Sequence, residues 1–154
     1  MLRVRPGSSE VCVLHLRQPV KHLGKWGEEL AAEWFVWQGF QVVSRNWLTP
    51  YGELDVWVRK GPRNYLVEIK TRSRWADSLD TVGFNPPKLR RLAAIRSLAI
   101  HSAEVPGQFF CGFLGVVPRC FYWWPNVFDS SVNYLICQHP WDFSPSDSPI
   151  LRKN

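Results

Sequence analysis

Three β-prone runs, at residues 40–47, 53–59 and 65–71, are separated by only a few residues each. Thr49-Pro50-Tyr51-Gly52 fills the first gap, and Lys60-Gly61-Pro62-Arg63-Asn64 the second. Both are rich in turn formers. Links this short favour antiparallel neighbours, because a parallel pair needs a long crossover. Upstream, Leu23, Trp26, Leu30, Trp34 and Trp37 recur every three or four residues, which predicts an amphipathic helix facing a core. Gly39 stands where a helix C′ residue belongs. Downstream, residues 72–85 lack a period and read as a loop. Pro86-Pro87 then open a second helix from Lys88 to about Ser102, with Leu89, Leu92, Ile95 and Ala99 inward and Lys88, Arg90, Arg91 and Arg96 mostly outward. Residues 109–117 read as a buried strand, with strand fragments at 121–124 and 132–137.

At 154 residues and 45% apolar content the chain is long enough to bury a core as one domain. Residues 1–21 read as a loosely ordered arm with a short strand at Val11-Cys12-Val13-Leu14. Residues 22–117 form the α/β unit, and 118–154 are a segment rich in Pro and Trp. The longest apolar run, 109–117, is far short of the ~20 residues a membrane span needs. No secretory pattern opens the chain, so a cytoplasmic protein is expected. Cys12, Cys111, Cys120 and Cys137 have neither zinc nor redox spacing and read as ordinary thiols. A net charge of +6 favours a polyanionic partner.

The chemistry concentrates in two of the strands. In Gly52-Glu53-Leu54-Asp55-Val56 and Leu66-Val67-Glu68-Ile69-Lys70-Thr71, charged residues stand two apart inside apolar runs. Alternation puts Glu53 with Asp55, and Glu68 with Lys70, on one face, while Leu54, Val56, Val67 and Ile69 point to a core. If the strands pair, two or three carboxylates and an ammonium converge. Asp55 and Glu68 suit a hard divalent cation that also takes water and phosphate oxygens. Lys70 is placed to steady the phosphate or the attacking water. Glu28 joins them if the first helix packs across the strands. The same residues also fit the solvent face of a half-exposed sheet.

The stretches Gly24-Lys25-Trp26-Gly27-Glu28-Glu29-Leu30-Ala31, Gly39-Phe40 with Arg45-Asn46, Gly52-Glu53-Leu54-Asp55, Val67-Glu68-Ile69-Lys70-Thr71-Arg72 and Pro87-Lys88-Leu89 occur in this order. On them the chain resembles the YraN-like family of small bacterial proteins, over residues 22–103. That family is similar to the restriction-endonuclease-like, PD-(D/E)XK superfamily and to archaeal Holliday-junction resolvases. The resemblance implies an α/β fold with a restriction-endonuclease-like core, a central mixed β-sheet flanked by helices. It implies a magnesium or manganese site of Asp55, Glu68 and Glu28, with Lys70 completing the catalytic set. Two departures stand out. The late strand that carries an Asp in the family has Gly112 at the matching place, and residues 118–154 depart from the family's closing segment.

Cations surround this patch. Arg45, Arg72, Arg74, Lys88 and Arg91 are the expected contacts to a nucleic-acid backbone, with DNA, including branched DNA, the favoured partner. Trp57, Tyr65 and Trp75 sit among cations, where exposed rings could stack on bases. Trp26, Trp34 and Trp37 are expected in the core. Three readings follow: a metal-dependent endonuclease, a binding module for DNA or RNA that keeps the fold without cleaving, and an adaptor using the Trp-rich end. Junction-cutting relatives are commonly dimers, so a homodimer is among the expected assemblies.

Overall fold

The computed structural model describes residues 20–72, 85–102, 107–117, 120–129 and 131–136. Helix α1 (Val20–Trp37) leads into three strands, β1 (Gln41–Thr49), β2 (Gly52–Lys60) and β3 (Arg63–Thr71). Helix α2 (Pro86–Ser102) follows, then β4 (Gln108–Val117), β5 (Cys120–Trp124) and β6 (Tyr134–Ile136). The six strands form one sheet in chain order. Every pairing is antiparallel except β3 with β4, which the crossover through α2 makes parallel. The protein is therefore α/β, a mixed sheet with a helix on each face.

The sequence explains where the elements stop. At the end of α1, Gly39 takes φ +86°, Gly39 N–H donates to Val36 O at 3.0 Å, and Phe40 N–H donates to Phe35 O at 2.9 Å. This paired closure uses the left-handed conformation that glycine adopts without penalty. Asn85 caps α2: its Oδ1 accepts from Lys88 N–H at 3.2 Å, and Pro86 occupies the first helical position.

Two cores flank the sheet. Between α1 and the sheet lie Leu30, Ala31, Trp34, Phe35, Phe40, Val56, Val58, Val67, Ile69 and Trp123. Between α2 and the other face lie Leu54, Leu66, Leu92, Ile95, Ala99, Phe113 and Trp124. Much of the tryptophan content is spent in this way. Trp34 stacks on Phe121 at 5.1 Å, and Trp123 meets Phe35 edge-on at 5.1 Å. The expected burial of Trp26, Trp34 and Trp37 holds: Trp34 is fully buried and the other two pack against the core. Beyond residue 117, β5 hydrogen-bonds onto β4 and β6 onto β5, extending the sheet.

One expectation needs correction. Leu54 and Val56 do not share a core: Leu54 joins the α2 side and Val56 the α1 side. The switch comes at Asp55, within a continuous β2. Asn46, the residue across from it on β1, has φ +50°, and the β2–β3 ladder opens beyond Val56↔Val67. Glu68 and Lys70 keep the predicted alternation relative to Val67 and Ile69, which pack on the α1 side. Among the described residues, no helix is long and apolar enough to cross a membrane. The arm at 1–19, with its expected strand at Val11-Cys12-Val13-Leu14, lies outside the described residues, as do Arg74, Trp75 and the end of the chain.

Candidate metal and phosphate site

The site forms where β2 and β3 part. Continuing the register past Val56↔Val67 would set Asp55 opposite Glu68, but the main-chain ladder has ended there. The Asp55 side chain takes its place, and Ile69 N–H donates to Asp55 Oδ2 at 2.7 Å. The other carboxylate oxygen has no hydrogen-bond partner among the described residues. Burial, then the charge of Glu68, pushes the Asp55 carboxyl from 3.8 up to about 7; Glu28 and Glu53 add to the push and the Ile69 N–H opposes it. Glu68, Glu28 and Glu53 are thus each close enough to act on Asp55.

Glu68 is nearly buried, at 8% exposure, so its charge requires a partner. Arg91 of α2 supplies it: one guanidinium nitrogen donates to Glu68 Oε2 at 3.0 Å, and the other donates to the Glu53 carbonyl at 3.0 Å. The expected outward direction of Arg91 is therefore corrected. It stands on the flank of the α2 stripe, beside Leu92, and its long stem carries the charge back to the sheet.

Lys70 and Lys88 stand side by side next to Glu68. Burial, then repulsion from Lys70, lowers the Lys88 pKa. Two ammoniums near enough to repel are cations that a phosphate would attract. The other expected phosphate contacts are not drawn in. Arg45 is held by Glu29 on the α1 side, at 3.1 and 3.3 Å, which keeps the Glu29 carboxyl below its ordinary value. Arg72 lies exposed past the end of β3. Trp57 is not an open stacking platform: its ring packs on Trp47 and Phe109, and its indole N–H donates to Asn64 Oδ1 at 3.0 Å.

Asn46 was not among the expected site residues. Its amide donates to Glu53 Oε1 at 2.8 Å and reaches Glu28 Oε2 at 3.5 Å, tying the helix-borne and strand-borne acids together. Asparagine is depleted inside strands and tolerates positive φ, so its presence in a β-prone run was the available signal.

The donors fit some cations better than others. All are hard oxygens. Among the described residues, no three His, Cys, Asp or Glu side chains are gathered closely enough to cage a metal. Such a set does not suit structural zinc. It does suit magnesium or manganese, which accept one or two carboxylates and keep their remaining positions for water and substrate oxygens. On β4, the segment QFFCGFLGVV contains no acid, and a Cβ at Gly112 would lie 2.9 Å from the Trp123 ring. The Trp123 ring thus occupies the space beside Gly112, where the resemblance implied an Asp.

Residues 27–105, which carry both helices and the strands bearing Asp55 and Glu68, match the uncharacterised protein family UPF0102. The chain belongs to that family. A UPF0102 protein of Beutenbergia cavernae is 43% identical over 85 residues, covering 53% of this chain and 71% of the relative. One of Syntrophomonas wolfei is 46% identical over 90 residues, covering 58% and 76%. One of Streptomyces griseus is 38% identical over 101 residues, covering 63% and 84%. The YraN-like resemblance drawn from the motifs therefore holds. In this UPF0102 protein the matched span ends before β4, so β5 and its two core tryptophans lie outside it.

Proposed function

We propose that the protein binds DNA and hydrolyses its phosphodiesters with magnesium or manganese, as a cytoplasmic member of the restriction-endonuclease-like superfamily. The observation that carries this reading is Asp55. It is a half-buried carboxylate set against Glu68 at a break between strands, and its charge is costly until a cation arrives. Asp55 and Glu68 hold the ion, and Glu28 faces them from α1. An ion held there would supply Lewis acidity, toward a phosphoryl oxygen and toward a water. Lys70 orients that water or the scissile phosphate, and Lys88 beside it attracts the same anion. Exposed Arg72, with Arg74 after it, continues the contact along the backbone.

A second reading has its own support. The β4 segment carries no acid, so a module that binds DNA or RNA without cutting, or an adaptor of the same fold, would keep the same cations.

Labelled single-stranded, duplex and four-way-junction DNA, incubated with magnesium, manganese or EDTA, separates the readings when Asp55→Ala and Lys70→Ala are run beside the wild type. The nuclease reading expects metal-dependent cutting that both variants lose. Binding without cutting in every arm supports the module. Neither binding nor cutting at low salt removes the nucleic-acid reading altogether.

A further inference from the structure

Arg91 does more than sit near the acids. Its guanidinium spans two oxygens of the site, the Glu68 carboxylate on β3 and the Glu53 carbonyl on β2, each at 3.0 Å. It thereby bridges the two strands where their own ladder has ended. Both are hard oxygens of the kind that magnesium and manganese accept.

The berth is shaped for this side chain. Gly52 lies beneath it with φ +122°, and a Cβ there would come within 3.3 Å of Arg91 Nη1 and 3.4 Å of its Cδ. A side chain at position 52 would press on the arginine stem, and the backbone there favours glycine in any case. Asn85 and Pro86 fix the start of α2, so the helix presents Arg91 from a defined register. The arginine side chain is a quarter exposed, which leaves it a path outward.

A guanidinium on Glu68 and a divalent cation on Glu68 exclude each other in part. They compete for the same lone pairs, and the two positive charges repel at short range. Lys88 feels Lys70, Glu68 and Arg91, so an arginine released from Glu68 remains near cations that attract an incoming phosphate. Arginine's planar fork suits that phosphate, which it can grip through two parallel N–H groups.

We propose that Arg91 is the resident counter-cation of the site: it holds Glu68 while the metal is away, and metal binding displaces it towards the DNA phosphate. This rests on the metal reading given above. It makes cation entry an exchange, so that the carboxylate pair is never left without positive charge. It also couples metal and DNA, because the displaced guanidinium is a phosphate ligand that the resting site withholds.

Manganese titration calorimetry at low ionic strength, on wild type, Arg91→Gln, Arg91→Lys and the control Arg90→Gln, tests it. Arg90 is exposed and carries the same charge one residue away. Arg91→Gln is expected to bind manganese about tenfold more tightly, the factor by which a latch closed nine-tenths of the time weakens apparent affinity. Arg91→Lys falls between, and Arg90→Gln stays within about twofold of wild type. In the unaltered protein, the Arg91 Nε–H resonance moves on titration with magnesium along the same saturation curve as the metal. A wild type and Arg91→Gln of equal affinity, or an Arg91 resonance that stays still while metal binds, overturns the exchange and leaves the metal site intact. Failure of both proteins to bind manganese overturns the metal reading and the exchange together.

Discussion

At Asp55, burial and three neighbouring carboxylates push the same way, and the folded carboxyl sits at about 7 against an ordinary 3.8. The folded state therefore holds its proton more tightly than the unfolded chain. This group favours the fold below about pH 4, and the advantage is lost as pH rises through 7. Asp55→Asn keeps an acceptor for Ile69 N–H and abolishes the charge. In EDTA at pH 8 it should melt above wild type, by about 2–4 °C for each kcal/mol of relieved repulsion, with the gap closing by pH 4. Equal melting at pH 8 would show that the carboxylate ionises without cost. The same proton opposes metal, so manganese affinity should fall by about tenfold per pH unit below 7 and level off above it. Titration calorimetry across pH 5.5–8.5, in this design, reads that slope. Of these residues, Glu68 and Lys70 were legible as sharing a side, because alternation along β3 holds; the approach of Asp55 and Glu28 depends on how β2 bends and α1 packs, which spacing does not report. Nor were the roles of Arg91 and Asn46 legible. The first turns inward along a flexible stem, and the second acts through a backbone conformation that no spacing encodes.

The elements themselves were legible to within a few residues. Periods of 3.6 and 2 are imposed by one-sided burial, and the glycine and proline stops act locally. What escaped was the face switch at Asp55. Strict alternation put Leu54 with Val56, whereas positive φ at Asn46 and the opened ladder send them to opposite cores. How closely α1 approaches β3 was equally hidden. A Cβ on Gly27 would run into the Thr71 side chain, so the helix rests closely on the end of β3 there. Gly27→Ala should lower stability by about 1–3 kcal/mol through overpacking, against the ~1 kcal/mol that alanine's helix propensity returns. Thermal denaturation is expected to show a net loss, eased in Gly27→Ala with Thr71→Ala because Oγ1 is gone. A Gly27→Ala protein as stable as wild type would mean that α1 can lift away from the sheet freely, and with it Glu28.

On the scale of the whole molecule, the family span of 27–105 is smaller than the folding unit. Trp123 is fully buried against Phe35, Phe40, Tyr65 and Trp34, and it comes from β5. Trp123→Ala should cost about 3–5 kcal/mol, a large share of the roughly 5–15 kcal/mol such a domain has, and urea denaturation measures it. A chain cut after residue 105 should lack the near-ultraviolet dichroism of a packed aromatic core. The sequence marked strands at 121–124 and 132–137, as β5 and β6 bear out, but Pro-punctuated runs with Trp do not tell whether such strands fold onto the core. Net charge +6 sets a further expectation: DNA affinity should fall steeply and log-linearly with salt, as phosphate contacts require. The central claim remains that Asp55 and Glu68 together seat a hard divalent cation. Crystals of the intact protein soaked in manganese test it most directly, through the anomalous difference map. A peak is expected about 2.0–2.2 Å from a carboxylate oxygen of each residue, with Arg91 moved off Glu68. A map with no peak there, in crystals that take up manganese elsewhere, would contradict it.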